Sequence, residues 1–161
     1  DPKIHEIIEV SALKVSQPDF VIQNSYYSKV TPAHLKSAEP KSLKISGYNP
    51  QDWVNSIPLK QMLEELSQFA PESILVGWGV FSEWDFLISA LETHSLPYFF
   101  TNLIEVSSIA YSKLYTHPEF KSLGLAKTCK LMGIPLENHN ADSDIRATYE
   151  IFMRLVNHQT P

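Results

Sequence analysis

The sequence predicts an α/β fold, in which a mixed sheet, an antiparallel hairpin plus parallel strands, is covered by helices. Two observations lead to this prediction. The chain opens with two strand-like segments joined by turn-forming residues. Helical stripes then alternate with short apolar runs, which is typical of strands covered on both faces. We expect the 161 residues to form a single domain.

The hairpin is predicted over Glu6–Val15 and Phe20–Val30. In the first segment, Ile8, Val10 and Ala12 alternate onto one face of a strand. The second segment is rich in aromatic and β-branched residues, and the residues 16–19 between them are turn formers. From residue 31 to residue 53, prolines and Gly47 interrupt every regular pattern. We expect a loop there with one or two short helices.

The clearest helix is predicted over Leu59–Ala70, where apolar residues recur at helical spacing after Pro58. The short apolar run Ser73–Gly77 predicts a buried strand. The same reasoning predicts a helix over Phe81–His94, a strand over Asn102–Val106, and helices over Ser108–Tyr115 and Leu123–Met132, the last of which ends in a left-handed cap at Gly133.

The final predicted helix extends over about Ala141–Asn157. Its inward face is expected to consist of Ile145, Thr148, Phe152 and Val156.

Composition narrows the class of protein. There are 13 basic and 18 acidic residues, so the formal net charge is −5 and a basic coat for nucleic acid is excluded. One cysteine, Cys129, excludes an internal disulfide and a cysteine-based zinc site. We therefore expect a cytoplasmic or other reducing intracellular compartment. No apolar run is long enough to span a bilayer, so no membrane contact is expected.

Two predicted helix starts carry the candidate chemistry, and the first lies near the end of the chain. There, His139 precedes a helix that Asn140 is expected to cap, with Asp144 in the first turn. A carboxylate can hold a metal ion while a neighbouring imidazole takes a proton from water. The alternative is that acidic residues at a helix start only complement the helix dipole.

The second helix start follows the buried strand, at the strand end where ligands bind in open α/β sheets. Asp85 is expected in the first turn of that helix. The spacing Ser82-x-x-Asp85 equally fits a capping pair that only closes the helix start. Trp78, Phe81 and Trp84 fit either the core or a surface on which a nucleobase stacks.

The ordered set of motifs resembles the DEDDh 3′–5′ exonucleases, the DnaQ-like branch of the ribonuclease H-like fold. The segments that carry the resemblance are Glu6-Ile7-Ile8-Glu9-Val10, Val76-Gly77-Trp78-Gly79 with Trp84-Asp85-Phe86-Leu87, and His139-x-Ala141-x-x-Asp144. The Trp-Gly and Trp-Asp pieces look most similar to the branch that trims histone-mRNA and small-RNA 3′ ends. The resemblance extends over nearly the whole chain.

The resemblance implies a two-metal hydrolysis at the 3′ end of single-stranded RNA or DNA, with nucleoside monophosphate as product. It assigns metal binding to Asp144 and Asp85, with two Mg²⁺ or Mn²⁺ ions. It assigns His139 as the base that deprotonates the attacking water. Substrate binding is expected at Trp78, Phe81, Tyr48 and Asn140.

The sequence departs from the family pattern at its start. Family members begin with a strand that carries Asp-x-Glu, and nothing before Glu6 matches it. Neither Glu6 nor Glu9 is assigned as a ligand. We expect the hairpin and the Ser73–Gly77 strand each to show an unpaired edge. Three explanations are open: residues that precede Asp1, a truncation with rearrangement, or a degenerate relative that does not cut.

Two functional alternatives follow from this departure. The first is a catalytically inactive, exonuclease-like module that binds a strand end or a protein without cutting. The second is an unrelated α/β protein in which Asp85 and Asp144 are only helix caps. We expect the intact protein to be a 3′–5′ exonuclease, and we make no prediction of protein partners.

Overall fold

The structure is a computed structural model and describes residues 1–2, 4–137 and 140–157. It confirms the predicted combination of an antiparallel pair and a parallel pair of strands with helices. The strands are β1 (Glu9–Ser16), β2 (Val21–Lys29), β3 (Ser73–Gly77) and β4 (Phe100–Glu105). The α-helices are α1 (Pro40–Ile45), α2 (Leu59–Phe69), α3 (Phe81–Thr93), α4 (Val106–Leu114), α5 (Leu125–Met132) and α6 (Ala141–Val156).

The predicted elements differ from the observed ones mainly at their ends. The hairpin strands are a few residues shorter than predicted, and β4 begins two residues earlier. Residues 31–58 contain the expected short helices, a 3₁₀ turn at Leu35–Ser37 and α1. Gly133 adopts a φ of 64°, which confirms the left-handed cap of α5.

Each of the four described strands pairs with only one neighbour, so each has one open edge. Among the described strands, β1 pairs antiparallel only with β2, and β3 pairs parallel only with β4. The expectation that the hairpin and the Ser73–Gly77 strand would each show an unpaired edge is therefore confirmed.

Helix α6 lies against β1 and, less extensively, against β3. The Tyr149 hydroxyl on α6 donates to the Phe20 carbonyl in the hairpin turn at 2.8 Å.

The core consists of two groups of apolar side chains on either side of β3. On one side, α4, α5 and α6 pack together and meet Val76 and Ile104. On the other side, α2 and α3 meet Leu75, Phe100 and the hairpin residues Val10 and Ala12. Because Leu75 and Val76 are successive residues of a strand, their side chains point to opposite faces. The parallel strand pair therefore has helices on both faces, as predicted, but β3 is only half-buried and Ile74 is 40% exposed.

The inward face of α6 differs from the prediction in part. Thr148 and Phe152 are buried as expected, whereas Ile145 and Val156 are only half-buried. The most buried positions are Ile151 and Leu155, which are fully shielded from solvent. The predicted stripe was rotated because the sequence offers two neighbouring apolar rows and only packing against α4 and α5 selects one. No helix of the described ranges has the length and apolar content needed to cross a bilayer.

Candidate functional site

Asn140 and Asp144 lie at the start of α6 as predicted. The Asn140 side chain accepts a hydrogen bond from the Ser143 backbone N–H at 3.0 Å, so it caps the helix. Asp144 is in the first turn of α6. Burial and then the negative charge of Asp144 raise the pKa of the Cys129 thiol on α5. Asp144 is therefore close enough to α5 to act electrostatically on a buried residue there.

His139, the predicted proton acceptor, lies outside the described residues, as does Asn138. The structure therefore does not describe the predicted arrangement of His139 with Asp85 and Asp144. Within residues 1–2, 4–137 and 140–157, no three histidine, cysteine, aspartate or glutamate side chains come together in a group that could hold a metal ion. The roles predicted for these residues stay predictions.

Asp142, two residues before Asp144, ties α6 to the hairpin. Its carboxylate accepts from the Ser11 hydroxyl on β1 at 3.3 Å and from Arg146 one turn later at 2.7 Å. The Arg146 hydrogen bond holds the pKa of Asp142 below its usual range. These contacts fix the start of α6 against β1 and thereby set the position of Asp144 relative to the hairpin.

Asp85 lies on α3, one turn later than predicted. Helix α3 begins at Phe81, its first turn contains Glu83, and no side chain caps it from within its own sequence. The prediction that Asp85 lies in the first turn was therefore wrong, and so was the alternative that Ser82 and Asp85 form a capping pair. The reason is that Val80 occupies the cap position, with its side chain buried against Gly77. Asp85 is exposed, and its carboxylate forms no hydrogen bond or ion pair with the described part of the chain.

The aromatic residues of the β3–α3 segment divide between core and surface. The Trp78 indole N–H donates to the Leu123 carbonyl at 2.9 Å, and its half-buried ring packs with the α4–α6 side of the core. Trp84 packs on Phe100, with ring centroids 4.7 Å apart. Phe81 is 60% exposed at the start of α3. Of the three rings, only that of Phe81 is presented openly to a ligand.

Tyr48 belongs to an ordered aromatic cluster beside the start of β1. Its ring packs on that of Trp53, with centroids 5.0 Å apart, and Lys29 Nζ lies 4.0 Å over the Trp53 ring. The Trp53 indole N–H donates to the Ile8 carbonyl at 3.1 Å. This cluster fixes the loop around Gly47 to the hairpin. Trp53 was not predicted, because residues 31–53 show no regular pattern from which to place it, and Lys29 was predicted only as part of the second hairpin strand.

Glu6 and Glu9 have structural partners, which agrees with leaving them out of the ligand set. Glu6 accepts hydrogen bonds from the backbone N–H groups of Ala33 and His34 and contacts the His34 ring at 2.7 Å. Glu9 accepts from the Tyr27 hydroxyl. Burial and this hydrogen bond raise the pKa of Tyr27. Both carboxylates hold loops and strands of the hairpin in place.

Glu105 is a further acidic residue at this end of the sheet, and sequence reasoning missed it. It is the last residue of β4, and its carboxylate accepts hydrogen bonds from the backbone N–H groups of Gly79, Val80 and Ser107 at 2.8–2.9 Å. The available signal was its position at the carboxyl end of a parallel strand. Burial, and then the charge of Glu105, raise the pKa of Glu83 on α3.

The donor chemistry fits a hard divalent cation only in part. Carboxylate oxygens are the ligands that Mg²⁺ and Mn²⁺ prefer. Asp85 presents a carboxylate without a described protein partner, and Asp144 stands at the positive end of a helix dipole. These two side chains can contribute to a donor set, but they do not complete one for two ions.

Comparison with known proteins gives the family. A sequence model of the family RNase_T, described as an exonuclease, matches residues 1–152. The PolC-type DNA polymerase III of Streptococcus pneumoniae is 27% identical over 145 residues, which are 89% of this chain and 9% of the polymerase. The corresponding protein of Thermotoga maritima is 26% identical over 163 residues, which are 97% of this chain and 11% of that protein. The chain thus spans only a small part of these relatives.

The solved nuclease domain of 3′hExo, a DEDDh family member bound to rAMP, has the same fold. The two superpose with a TM-score of 0.76 at 18% sequence identity, over 96% of this chain and 82% of that domain. The fold that the resemblance implies is thereby confirmed, and the family match confirms the resemblance to exonucleases. Because the family match extends over nearly the whole of its length, this chain belongs to the RNase_T exonuclease family.

Proposed function

We propose that the intact protein is a metal-dependent exonuclease that removes nucleotides from the 3′ end of single-stranded RNA or DNA in the 3′–5′ direction. The observation that carries the proposal is the match of residues 1–152 to the exonuclease family. The rAMP bound to the related nuclease domain supports it, because a nucleoside monophosphate is the product of such a reaction. The acidic helix α6 start and the exposed Asp85 on α3 agree with it.

Asp144 and Asp85 are the residues we assign to two Mg²⁺ or Mn²⁺ ions. Such ions, when bound, stabilise the attacking and leaving oxygens of an in-line phosphoryl displacement. Asp142 and Asn140 hold the start of α6 so that Asp144 keeps its place. We assign His139 to accept a proton from the attacking water.

Phe81 is the residue we assign to stacking on the terminal base, because its ring is exposed at the start of the helix that carries Asp85. Stacking on an aromatic ring contributes about 1–3 kcal/mol per base and tolerates every base. Tyr48 borders the 3′ end in this proposal, and its packing on Trp53 keeps the ring in one place. Trp78 supports the β3–α3 segment from the core side, and Asn140 acts through the α6 cap.

A labelled oligonucleotide tests the direction, the metal requirement and the assigned carboxylates. With Mg²⁺ or Mn²⁺, the intact protein should release a labelled mononucleotide first from a 3′-labelled strand, and a ladder of shortened products from a 5′-labelled one. Asp144→Asn and Asp85→Asn should each reduce the rate by more than about 100-fold, since even outer-shell partners of metal sites cost about 10–100-fold. Asp19→Asn, in the exposed hairpin turn, is the matched control.

Three outcomes separate the alternatives. Undiminished trimming by Asp144→Asn contradicts the assigned site. Binding of the oligonucleotide without cleavage, at any concentration of either ion, identifies an exonuclease-like binding module instead. Equal rates on RNA and DNA strands of the same sequence would show that the enzyme accepts both nucleic acids. A large difference in rate would identify RNA or DNA as the preferred substrate.

A further inference from the structure

The carboxylate of Glu105 joins the starts of two helices. Strands β3 and β4 are parallel and Gly77 is opposite Glu105, so both strands end side by side. One Glu105 oxygen accepts from the N–H groups of Gly79 and Ser107, both at 2.9 Å. The other oxygen accepts from the Val80 N–H at 2.8 Å. One side chain therefore satisfies three backbone donors, two in the β3–α3 segment and one in the first turn of α4.

The Val80 and Ser107 N–H groups are donors that a helix start leaves without an intrahelical partner, and Gly79 directly precedes the N-cap residue of α3. Helix α4 is capped by Glu105 itself, since Glu105 is the residue that precedes it. Helix α3 has no side-chain cap from its own sequence, so its cap comes from the neighbouring strand. Hydrogen bonds to an ionised carboxylate are stronger than neutral ones, and the positive ends of both helix dipoles favour the charge.

The segment between β3 and α3 has little freedom to move away from Glu105. Gly79 has a φ of 75°, a conformation that few other residues adopt. The Val80 side chain is 2% exposed and packs on Gly77, where an added Cβ would lie only 3.1 Å from the Val80 Cβ. Helix α3 continues directly from Val80 and carries Phe81 in its first turn and Asp85 in its second.

We propose that Glu105 is a positioning residue of the nuclease site: by binding the starts of α3 and α4 through three N–H groups, it sets the place of Phe81 and Asp85. This inference rests on the proposed function, because it concerns the same site. Glu105 acts through the β3–α3 segment and is assigned no contact with the metal ions or the nucleic acid.

Glu105→Gln is the direct test, because it keeps the size of the side chain and removes the charge and one acceptor oxygen. In the intact protein we expect the Mg²⁺ or Mn²⁺ concentration for half-maximal trimming to rise about 10–100-fold. Glu105→Asp keeps the charge but is one methylene shorter, and we expect a smaller rise. Glu92→Gln is the matched control, since Glu92 lies near the far end of α3 and accepts a hydrogen bond from Tyr98 at 2.7 Å.

Amide hydrogen exchange supplies a readout that does not need activity. We expect the Gly79 and Val80 amides to exchange about tenfold faster or more in Glu105→Gln than in the wild type, because hydrogen bonds to charged groups are lost. The same amides should exchange at the wild-type rate in Glu92→Gln. A role limited to stability would lower the midpoint of unfolding without changing the metal dependence of the folded molecules.

The outcomes distinguish this inference from the proposed function. An active wild type and a Glu105→Gln variant with unchanged metal dependence overturn the positioning role and leave the nuclease proposal intact. Unchanged exchange at Gly79 and Val80 also overturns the positioning role. A wild type that never cuts, with faster exchange in the variant, overturns the nuclease proposal and the role at the site together, and leaves Glu105 as a helix cap.

Discussion

Tyr26 connects the hairpin to α2 through one hydrogen bond. Its hydroxyl donates to the Glu65 carboxylate at 2.9 Å, and its ring packs on Phe69 with centroids 5.7 Å apart. Burial, together with the bond to Glu65, raises the pKa of Tyr26 from 10.0 to about 12. The phenol is therefore more readily ionised in the unfolded chain than in the folded one.

The stability of the protein should consequently depend on the ionisation of Tyr26. Between pH 10 and about 12 the folded state binds more protons than the unfolded state, so the free energy of unfolding falls as the pH rises. Below pH 10 we expect Tyr26→Phe to be less stable than the wild type by about 0.5–1.5 kcal/mol, the value of one hydrogen bond. This difference should shrink as the pH rises towards about 12.

Urea unfolding of both proteins across this pH range is the measurement. Tyr115→Phe, at an exposed side chain directly after α4, is the control and should stay within about 0.5 kcal/mol of the wild type. A difference between Tyr26→Phe and the wild type that is constant or grows with pH contradicts the assignment.

At the scale of elements, the helix starts differ in how they are capped. Helix α6 has its own cap in Asn140, whereas α3 takes its cap from Glu105 on a strand. Helix α2 follows Pro58 and has no side-chain cap. The first device is local and visible in sequence, and the second requires two strands to end side by side.

Asn140→Ala should lower the free energy of unfolding by about 0.5–2 kcal/mol, because the Ser143 N–H loses its partner. Asn140→Ser should keep most of the wild-type stability, since a serine hydroxyl also caps a helix. Thermal or urea unfolding followed by circular dichroism measures both. Equal losses in the two variants would show that Asn140 acts by something other than its cap.

At the scale of the whole molecule, the two sides of the core should behave as separate packing units. Leu63 on α2 and Ile151 on α6 are both fully buried, but they lie in different apolar groups on opposite faces of the parallel strands. We expect Leu63→Ala to cost about 2–5 kcal/mol and Ile151→Val about 0.5–1.5 kcal/mol.

The double variant tests this independence. Because the two side chains lie in different apolar groups, their losses of unfolding free energy should add within about 0.3–0.5 kcal/mol. The measurement is a double-mutant cycle, in which urea unfolding of the wild type, the two single variants and the double variant is compared. A coupling clearly larger than this would show that β3 transmits packing changes between its two faces.

The sequence by itself determined the order and type of nearly every element. Apolar spacing placed α2 and α3, turn chemistry placed the hairpin, and Gly133 marked the end of α5. It also identified Asn140 as a cap and Asp144 as a first-turn residue, because both depend on neighbours within one helical turn. Local chemistry is sufficient wherever the partners are a few residues apart.

Only the tertiary structure decided which apolar row of α6 is buried, that Val80 rather than Ser82 is the N-cap residue of α3, and that Glu105 caps a helix 25 residues away in sequence. It also placed Tyr48 on Trp53. The physical reason is common to all of these. Each depends on a contact between segments far apart in the chain, and local propensity does not specify which of several acceptable partners packing will bring together.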